Sequence, residues 1–442
     1  MGVNDYGKTR RSFYSEGKIC GPVAPWHPEV VTAFDGLRSF NTGSTEAFKT
    51  ALMKLLKAPG AQRKGRKNPK ASGHRPPLRQ LMKQRIAAPE ENLFGLGKIE
   101  LEELAVECGQ PKFRGRQLFR NLYARRVRDL DACTEIPANF RQELAARFRV
   151  EWPDIRARVE SQDGAVRYLF ALDDGENIET VYMPIENRVT LCLSSQVGCA
   201  VGCRFCFTAL LGVKRNLTAG EVVGQVTAVL DAQQVPKETP VNLVFMGMGE
   251  PMLNLDAVMK AVGILSDSNG LALALRRMTV STAGVIPQIR KFAEIPARPK
   301  LAISLNASSH EQRTALMPLN RKYPLSELMQ VCREFPLGPR EYLTFEYVLL
   351  DGINDSDDDA RRVAALVKDI KCKLNLIPFN SGSELPYKPS PLGRVLAFQD
   401  ILRSHQVPAY IRISRGQDVM AACGQLRLGT MSRTATPVDA SL

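Results

Sequence analysis

The sequence predicts an α/β fold whose parallel sheet is open or curled into a partial barrel, preceded by a small helical region and a long basic arm. From Arg188 onward, seven short β-branched runs alternate with helical stretches, the pattern of strand–helix–strand crossovers. Residues 93–150 instead carry helical periodicity. Residues 1–90 hold 17 Lys and Arg against 6 Asp and Glu, so +11 of the net +14 lies there.

Taken in order, residues 1–92 read as a basic, largely disordered extension. It contains one short amphipathic helix (TEAFKTALMKLLK) and a Pro-, Gly- and Lys/Arg-rich linker at 58–79 with almost no apolar content. A basic arm attracts a polyanion by phosphate contacts, though a solvated tail gives the same charge pattern. Residues 93–150 follow as a helical accessory domain. Its stripe of Leu118, Phe119, Leu122 and Tyr123 is surrounded by Lys112, Arg114, Arg116, Arg120, Arg125 and Arg126.

Residues 151–187 form a strand-rich connector, and 188–430 the α/β domain, with 431–442 as a tail. VTLCLSS, VNLVFMG, RMTVSTAG, LAISLN, LTFEYVLL, KLNLIPFN and AYIRIS are the predicted strands. Thr218 and Glu221 form a T-x-x-E capping box that starts the first crossover helix. In such a sheet the active site lies at the carboxyl ends of the strands, where the motifs below fall.

The composition is that of a globular protein, 44% hydrophobic and 24% charged. No apolar run approaches the roughly 18 residues of a membrane span, and the N-terminus lacks a secretory apolar core, so the expected location is cytoplasmic with no membrane partner. Ten cysteines at this density fit a reducing compartment where clustered thiols bind metal or do chemistry. The four histidines (His27, His74, His310, His405) form no motif and no phosphate-binding loop occurs, so a serine, histidine or phosphate-loop mechanism finds no support.

GCAVGCRFCF follows the first barrel strand and places Cys199, Cys203 and Cys206 in a C-x3-C-x2-C spacing. Three thiolates can hold three irons of a cubane and leave the fourth iron open to an exchangeable ligand. A structural zinc site is the competing reading, but zinc prefers four protein ligands and no fourth stands at finger-like spacing. GMGEP ends the second strand, where Gly249, Glu250 and Pro251 can present acceptors to an ammonium group.

This spacing, with GEP after the second strand, resembles the radical S-adenosylmethionine superfamily. ETVYMP, TLCLSSQVGC, GMGEP, STAGV, LAISLNA, LIPFN and AACGQL then follow in the order of its RlmN/Cfr group of RNA methyltransferases, over roughly residues 93–430. The chain is more similar to the RlmN side, which modifies carbon 2 of adenine, than to the Cfr side, which modifies carbon 8. The resemblance implies a partial (β/α)6 barrel of the radical S-adenosylmethionine type. It also implies one [4Fe-4S] cluster on Cys199, Cys203 and Cys206, and two S-adenosylmethionine molecules per turnover. The substrates would be 23S rRNA at the peptidyl-transferase centre and tRNA at adenosine 37. Further expectations are an electron donor such as flavodoxin or ferredoxin, a monomeric state, and an RNA-binding role for residues 93–150.

By the same matching, Cys423 carries the methyl group, Cys192 resolves the enzyme–RNA link through a transient disulfide, and Glu179 accepts the proton lost from the base. Gly249, Glu250, Ser281, Ser304, Leu305, Asn306 and Asn380 would line the cofactor pocket. Asn306 stands where the group usually has histidine, so an acid–base role there is in doubt. Phe207 stands where a small residue is common. Cys20, Cys108, Cys133, Cys332 and Cys372 match no motif and read as packing residues.

Overall fold

The computed structural model describes residues 91–380, 385–426, 428 and 436–437. The predicted helix and linker of the basic arm, Cys20, His27 and His74 lie outside them, as does nearly all of the tail. The described residues belong to one unit, Arg85–Leu442, distinct from Met1–Gln84.

The N-terminal part is helical as expected. A short strand, β1 (Glu91–Asn92), leads into α1 (Lys98–Glu107) and α2 (Lys112–Phe119), a π-turn at Arg120–Ala124, and α3 (Ala138–Arg147). Leu118, Phe119, Leu122 and Tyr123 are all fully buried. Tyr123 is anchored by polar contacts as well as packing: its hydroxyl accepts from Gly95 N–H and donates to the Leu96 carbonyl, both at 2.8 Å. β2 (Phe148–Arg149) pairs with β1 and closes this part.

The chain then enters one eleven-stranded sheet. β3 (Asp154–Glu160), β4 (Val166–Ala171) and β5 (Asn177–Ile185) form an antiparallel meander that joins β6 (Arg188–Cys192). The segment 151–187 therefore continues the main sheet. After β6 come a small hairpin of β7 (Gln196–Gly198) and β8 (Val213–Asn216), with the four-residue helix α4 (Phe207–Leu210) between them.

Six strand–helix units follow the β6 start. α5 (Ala219–Ala232), β9 (Val241–Phe245), α6 (Leu255–Ser266), β10 (Met278–Thr282), α7 (Ile286–Ala293) and β11 (Lys300–Ser304) come first. α8 (His310–Leu316), α9 (Leu325–Glu334), β12 (Leu343–Leu349), α10 (Asp357–Val367), β13 (Cys372–Pro378), α11 (Leu392–Ser404) and β14 (Ala409–Ile411) complete the series. β6, β9, β10, β11, β12, β13 and β14 pair in chain order and all in parallel, so all seven strands read from the sequence are present, one more than the (β/α)6 barrel that the resemblance implies. A two-residue strand, β15 (Thr436–Pro437), pairs with β3 at the far edge.

The capping box at Thr218 forms in both directions: Glu221 N–H donates to Thr218 Oγ1 at 3.1 Å, and Thr218 N–H to Glu221 Oε2 at 2.7 Å. Parallel strands covered by helices are buried on both faces, and Leu191, Leu243, Val280, Ile303, Phe345 and Leu374 supply the side packed under the helices. The opposite side is more polar, and the candidate site is built there and at the strand ends. No helix among the described residues is long and apolar enough to cross a membrane.

Candidate functional site

The hairpin β7–β8 sets up the cysteine loop. Gly198 has φ +77°, and a Cβ there would stand 1.8 Å from the Gly212 carbonyl, so the turn into Cys199 requires glycine. Cys199 N–H donates to that carbonyl at 2.7 Å, Arg204 N–H reaches Leu316 O at 3.0 Å, and Cys206 N–H folds back on Cys203 O at 3.2 Å. The three predicted ligands are thus held on one short, pinned loop.

Burial pushes the Cys199 thiol up to about 12 and raises Cys203 and Cys206 as well. Cys203 is raised further by the neighbouring Cys206 and Cys199, so the thiols share one electrostatic neighbourhood. Such thiols stay protonated unless cationic metal displaces the protons. Among the described residues no three His, Cys, Asp or Glu side chains converge on a single ion position. A cubane takes one thiolate at each of three separate corners, a donor set that three cysteines on one loop can supply.

Gly249, with φ +101°, passes so close to Gln196 that a Cβ would stand 2.7 Å from its backbone nitrogen. The buried Glu250 carboxylate accepts from Ala283 N–H at 2.7 Å and Met252 N–H at 3.1 Å, joining the carboxyl ends of β9 and β10. Burial raises its pKa. The same carboxylate lies near enough to Cys199 and Cys203 to raise theirs.

Ser281 lies near the end of β10, and Ser304 and Leu305 at the end of β11. Asn306 follows in the left-handed region at φ +55°, a conformation asparagine tolerates better than most residues. Its side-chain oxygen accepts from Val348 N–H at 2.9 Å, and its amide faces Met317 Sδ at 3.5 Å. The asparagine found where the group usually has histidine is therefore engaged in bracing β12 against β11. Phe207, the other departure, is fully buried at the start of α4.

Cys423 arrives at this site on a segment anchored at several points. Arg415 donates to Pro184 O and Asp163 O, Gly416 N–H to Asp163 Oδ2 at 2.9 Å, and Ser161 Oγ to Asp418 Oδ1 at 2.5 Å. These bonds tie the chain after β14 to the β3–β4 turn and the end of β5. Beyond Cys423, Gly424 O accepts from Phe207 N–H at 2.8 Å and Leu426 O from Thr208 Oγ1 at 2.7 Å, so the segment docks on the cysteine loop. Asn380 Nδ2 donates to Cys423 O at 3.1 Å while its Oδ1 accepts from Gln417 at 3.0 Å.

Cys423 retains exposed surface although protein surrounds it, and that burial pushes its thiol up to about 11. Cys192 is buried at the end of β6, its thiol raised by burial and then by Cys423. The two cysteines, 231 positions apart in sequence, thus share one neighbourhood. Cys192 lies opposite Val181, so Glu179, two residues from Val181, projects from the same sheet face. Glu179 is wholly buried and ion-paired with Arg167 Nη1 at 3.2 Å, with neither side chain more than 8% exposed.

Arg167, Gln225, Arg313 and Gln417 were not anticipated. Gln225 is representative: its Oε1 accepts from Thr180 Oγ1 at 2.7 Å and Ser194 N–H at 2.8 Å, fixing the strand ends around Cys192 from inside α5. Of the remaining cysteines, Cys133, Cys332 and Cys372 are buried, while Cys108 is partly exposed beside Arg147.

On the helical part, Arg116 pairs with Glu102, Arg125 with Glu135 and Arg126 with Asp231, and Arg114 donates to Gln117 and Glu135 O. Lys112 and Arg120 are exposed without an acidic partner among the described residues. Spaced with Arg116 at i, i+4, i+8, they lie along one side of α2 and the first residue of the π-turn that continues it.

Residues 193–364 match the Radical SAM superfamily, and residues 91–150 the ribosomal RNA large subunit methyltransferase N-terminal domain. A probable dual-specificity RNA methyltransferase RlmN of Koribacter versatilis is 48% identical over 336 residues, covering 72% of this chain and 96% of that protein. The dual-specificity RNA methyltransferase RlmN of Syntrophobacter fumaroxidans is 46% identical over 74% of this chain and 95% of its own. Among solved structures, a radical SAM methyltransferase from Sphaerobacter thermophilus superposes with a TM-score of 0.73 at 43% identity, covering 76% of this chain and 99% of that one.

Proposed function

The chain belongs to the RlmN family of radical S-adenosylmethionine RNA methyltransferases, and from that premise we propose that it methylates carbon 2 of an adenosine in 23S rRNA and of adenosine 37 in tRNA. The observation that carries the reading is the docking of the Cys423 segment on the cysteine loop, with Cys192 in the same neighbourhood.

Carbon 2 of adenine is not nucleophilic, so direct displacement on a sulfonium methyl faces a prohibitive barrier. When bound on Cys199, Cys203 and Cys206 and beside Gly249 and Glu250, the cluster and S-adenosylmethionine supply a methyl group and a carbon radical that takes a hydrogen atom. The protein's own groups do the rest. Cys423 carries the methyl carbon to the base, held by Asn380 and the contacts of Gly424 and Leu426. Once a hydrogen atom has been taken from that methyl, its carbon bonds to carbon 2; Glu179 accepts the proton that leaves carbon 2, and the one surplus electron would pass to the oxidised form of the external electron carrier, which leaves a closed-shell sulfur–carbon link. The Cys192 thiolate then attacks the Cys423 sulfur. A sulfur–sulfur bond forms, the sulfur–carbon bond breaks with its pair on carbon, and that carbon takes up a proton to become methyl. An external reductant such as flavodoxin or ferredoxin serves the cluster, and residues 91–150 position the RNA so that the target base leaves its stack.

The test is anaerobic reconstitution with iron and sulfide, then labelled S-adenosylmethionine, a reductant and protein-free large-subunit RNA, with methyladenosine scored by mass spectrometry. Label at carbon 2 in wild type and none in Cys423→Ala is the expected result. Label at carbon 8 would move the protein to the Cfr side of the group. Cofactor cleavage without RNA methylation would refute the substrate.

A further inference from the structure

Arg313 on α8 is wholly buried, yet among the described residues it forms no ion pair with a carboxylate. Its guanidinium is held by neutral acceptors: Nε donates to Leu305 O at 3.2 Å, Nη1 to Asn320 Oδ1 at 3.1 Å, and Nη2 to Ala283 O at 2.6 Å and Ser304 O at 3.1 Å. Three of these acceptors are backbone carbonyls at the carboxyl ends of β10 and β11, between Ser281, Ser304 and Asn306. Ala283 is gripped from both sides, its N–H by Glu250 and its carbonyl by Arg313. Carbonyl dipoles solvate a cation but leave its charge uncancelled, and an uncancelled charge in a dry interior is costly.

A balancing charge would arise at the cysteine loop once its thiols bind metal as thiolates. α8 ends at Leu316, whose carbonyl accepts from Arg204 N–H at 3.0 Å, so the arginine's helix is bonded to the residue after Cys203. Cys203 and Leu316 pack in the same apolar cluster. Burial lowers the arginine's pKa to about 10, with Cys203 first among the charges opposing that change, so the side chain stays cationic at neutral pH.

We propose that Arg313 is the resident counter-cation of the iron–sulfur cluster: it staples the strand ends that form the cofactor pocket and eases reduction of the cluster. This rests on the radical S-adenosylmethionine reading above. Reduction adds one negative charge to a cluster already negative through its thiolates. A fixed buried cation nearby favours the reduced state, because a low-dielectric interior screens little.

The experiment is an EPR-monitored redox titration of the reconstituted full-length protein without S-adenosylmethionine, with thermal unfolding of the iron-free protein alongside. Arg313→Gln should fill iron but accept an electron about tenfold less readily, a midpoint about 59 mV more negative for a one-electron couple. Arg313→Lys keeps the charge but cannot span four acceptors, so it should lower the unfolding temperature and leave the midpoint near wild type. Asn320→Asp puts a carboxylate against the guanidinium without removing it, and should also shift the midpoint negative. That variant decides the matter if Arg313→Gln fails to fold. An unchanged midpoint in Asn320→Asp or in folded Arg313→Gln overturns the proposal. A wild-type protein that assembles no [4Fe-4S] cluster would instead sink the functional reading beneath it.

Discussion

Arg167 and Glu179 form an ion pair, at 3.2 Å, that is buried across the β4–β5 hairpin on the sheet face that also carries Cys192. Taking two charges out of water is costly, and their attraction offsets that cost only while both are present. Arg167→Leu should therefore destabilise the protein by about 3–5 kcal/mol, read from urea unfolding, because it strands a buried carboxylate. The double variant Arg167→Leu with Glu179→Leu should recover much of that loss in stability while abolishing RNA methylation. If the double variant methylates RNA at the wild-type rate, Glu179 is not the proton acceptor.

The proximity of Cys192 and Cys423 predicts a disulfide. Mild oxidation of the iron-free protein with diamide should yield a Cys192–Cys423 peptide on mass spectrometry, absent in Cys192→Ala and in Cys423→Ala. The attacking species is a thiolate, and burial has pushed Cys423 up to about 11 and Cys192 upward as well. Below those values the thiolate fraction grows about tenfold per pH unit, so bond formation should accelerate about tenfold per unit from pH 7 to 9. A rate independent of pH would show that neither thiol stands in the buried environment described.

The strand–helix alternation, the capping box at Thr218 and the C-x3-C-x2-C loop were legible because each is a local pattern whose physics acts within a few residues. Cys192 and Cys423 are singled out only by the order of seven motifs, since neither has a local signature. What sequence left out is long-range pairing. The acceptors of Arg313 lie 7 to 30 residues away, and Gln225 reaches Thr180 across 45. The basic face of the helical part was overestimated for the same reason: composition counts Arg125 and Arg126 as free charge, whereas Glu135 and Asp231 neutralise them. Asn306, assigned to the cofactor pocket by its motif, spends its side-chain oxygen on Val348, 42 positions on.

Asn380 links the end of β13 to the Cys423 carbonyl and to Gln417. Each bond is worth about 1 kcal/mol, so Asn380→Ala should cost little in unfolding free energy. A misplacement of about 1 Å at a reacting carbon can cost on the order of a hundredfold in rate. The expected outcome is thus a split: near-normal thermal stability and iron content, with single-turnover methylation of RNA reduced tenfold or more. Equal losses in both would mean that Asn380 only holds the fold together.

Lys112, Arg116 and Arg120 line one side of α2 and the start of the π-turn after it, but Arg116 is engaged by Glu102 at 3.2 Å. An exposed ion pair contributes little to stability, and its cation is already partly compensated before RNA arrives. Lys112 and Arg120 have no such partner, and each phosphate contact adds about 0.7–0.9 to the slope of log K against log salt. The double variant Lys112→Ala with Arg120→Ala should weaken binding of a substrate RNA hairpin and lower that slope by about 1.5 to 2. Arg126→Ala, whose side chain is turned onto Asp231, should leave the slope unchanged. If Lys112 and Arg120 can be neutralised without changing the salt dependence, α2 does not face the RNA, and the phosphate contacts of this part must be sought on its other helices.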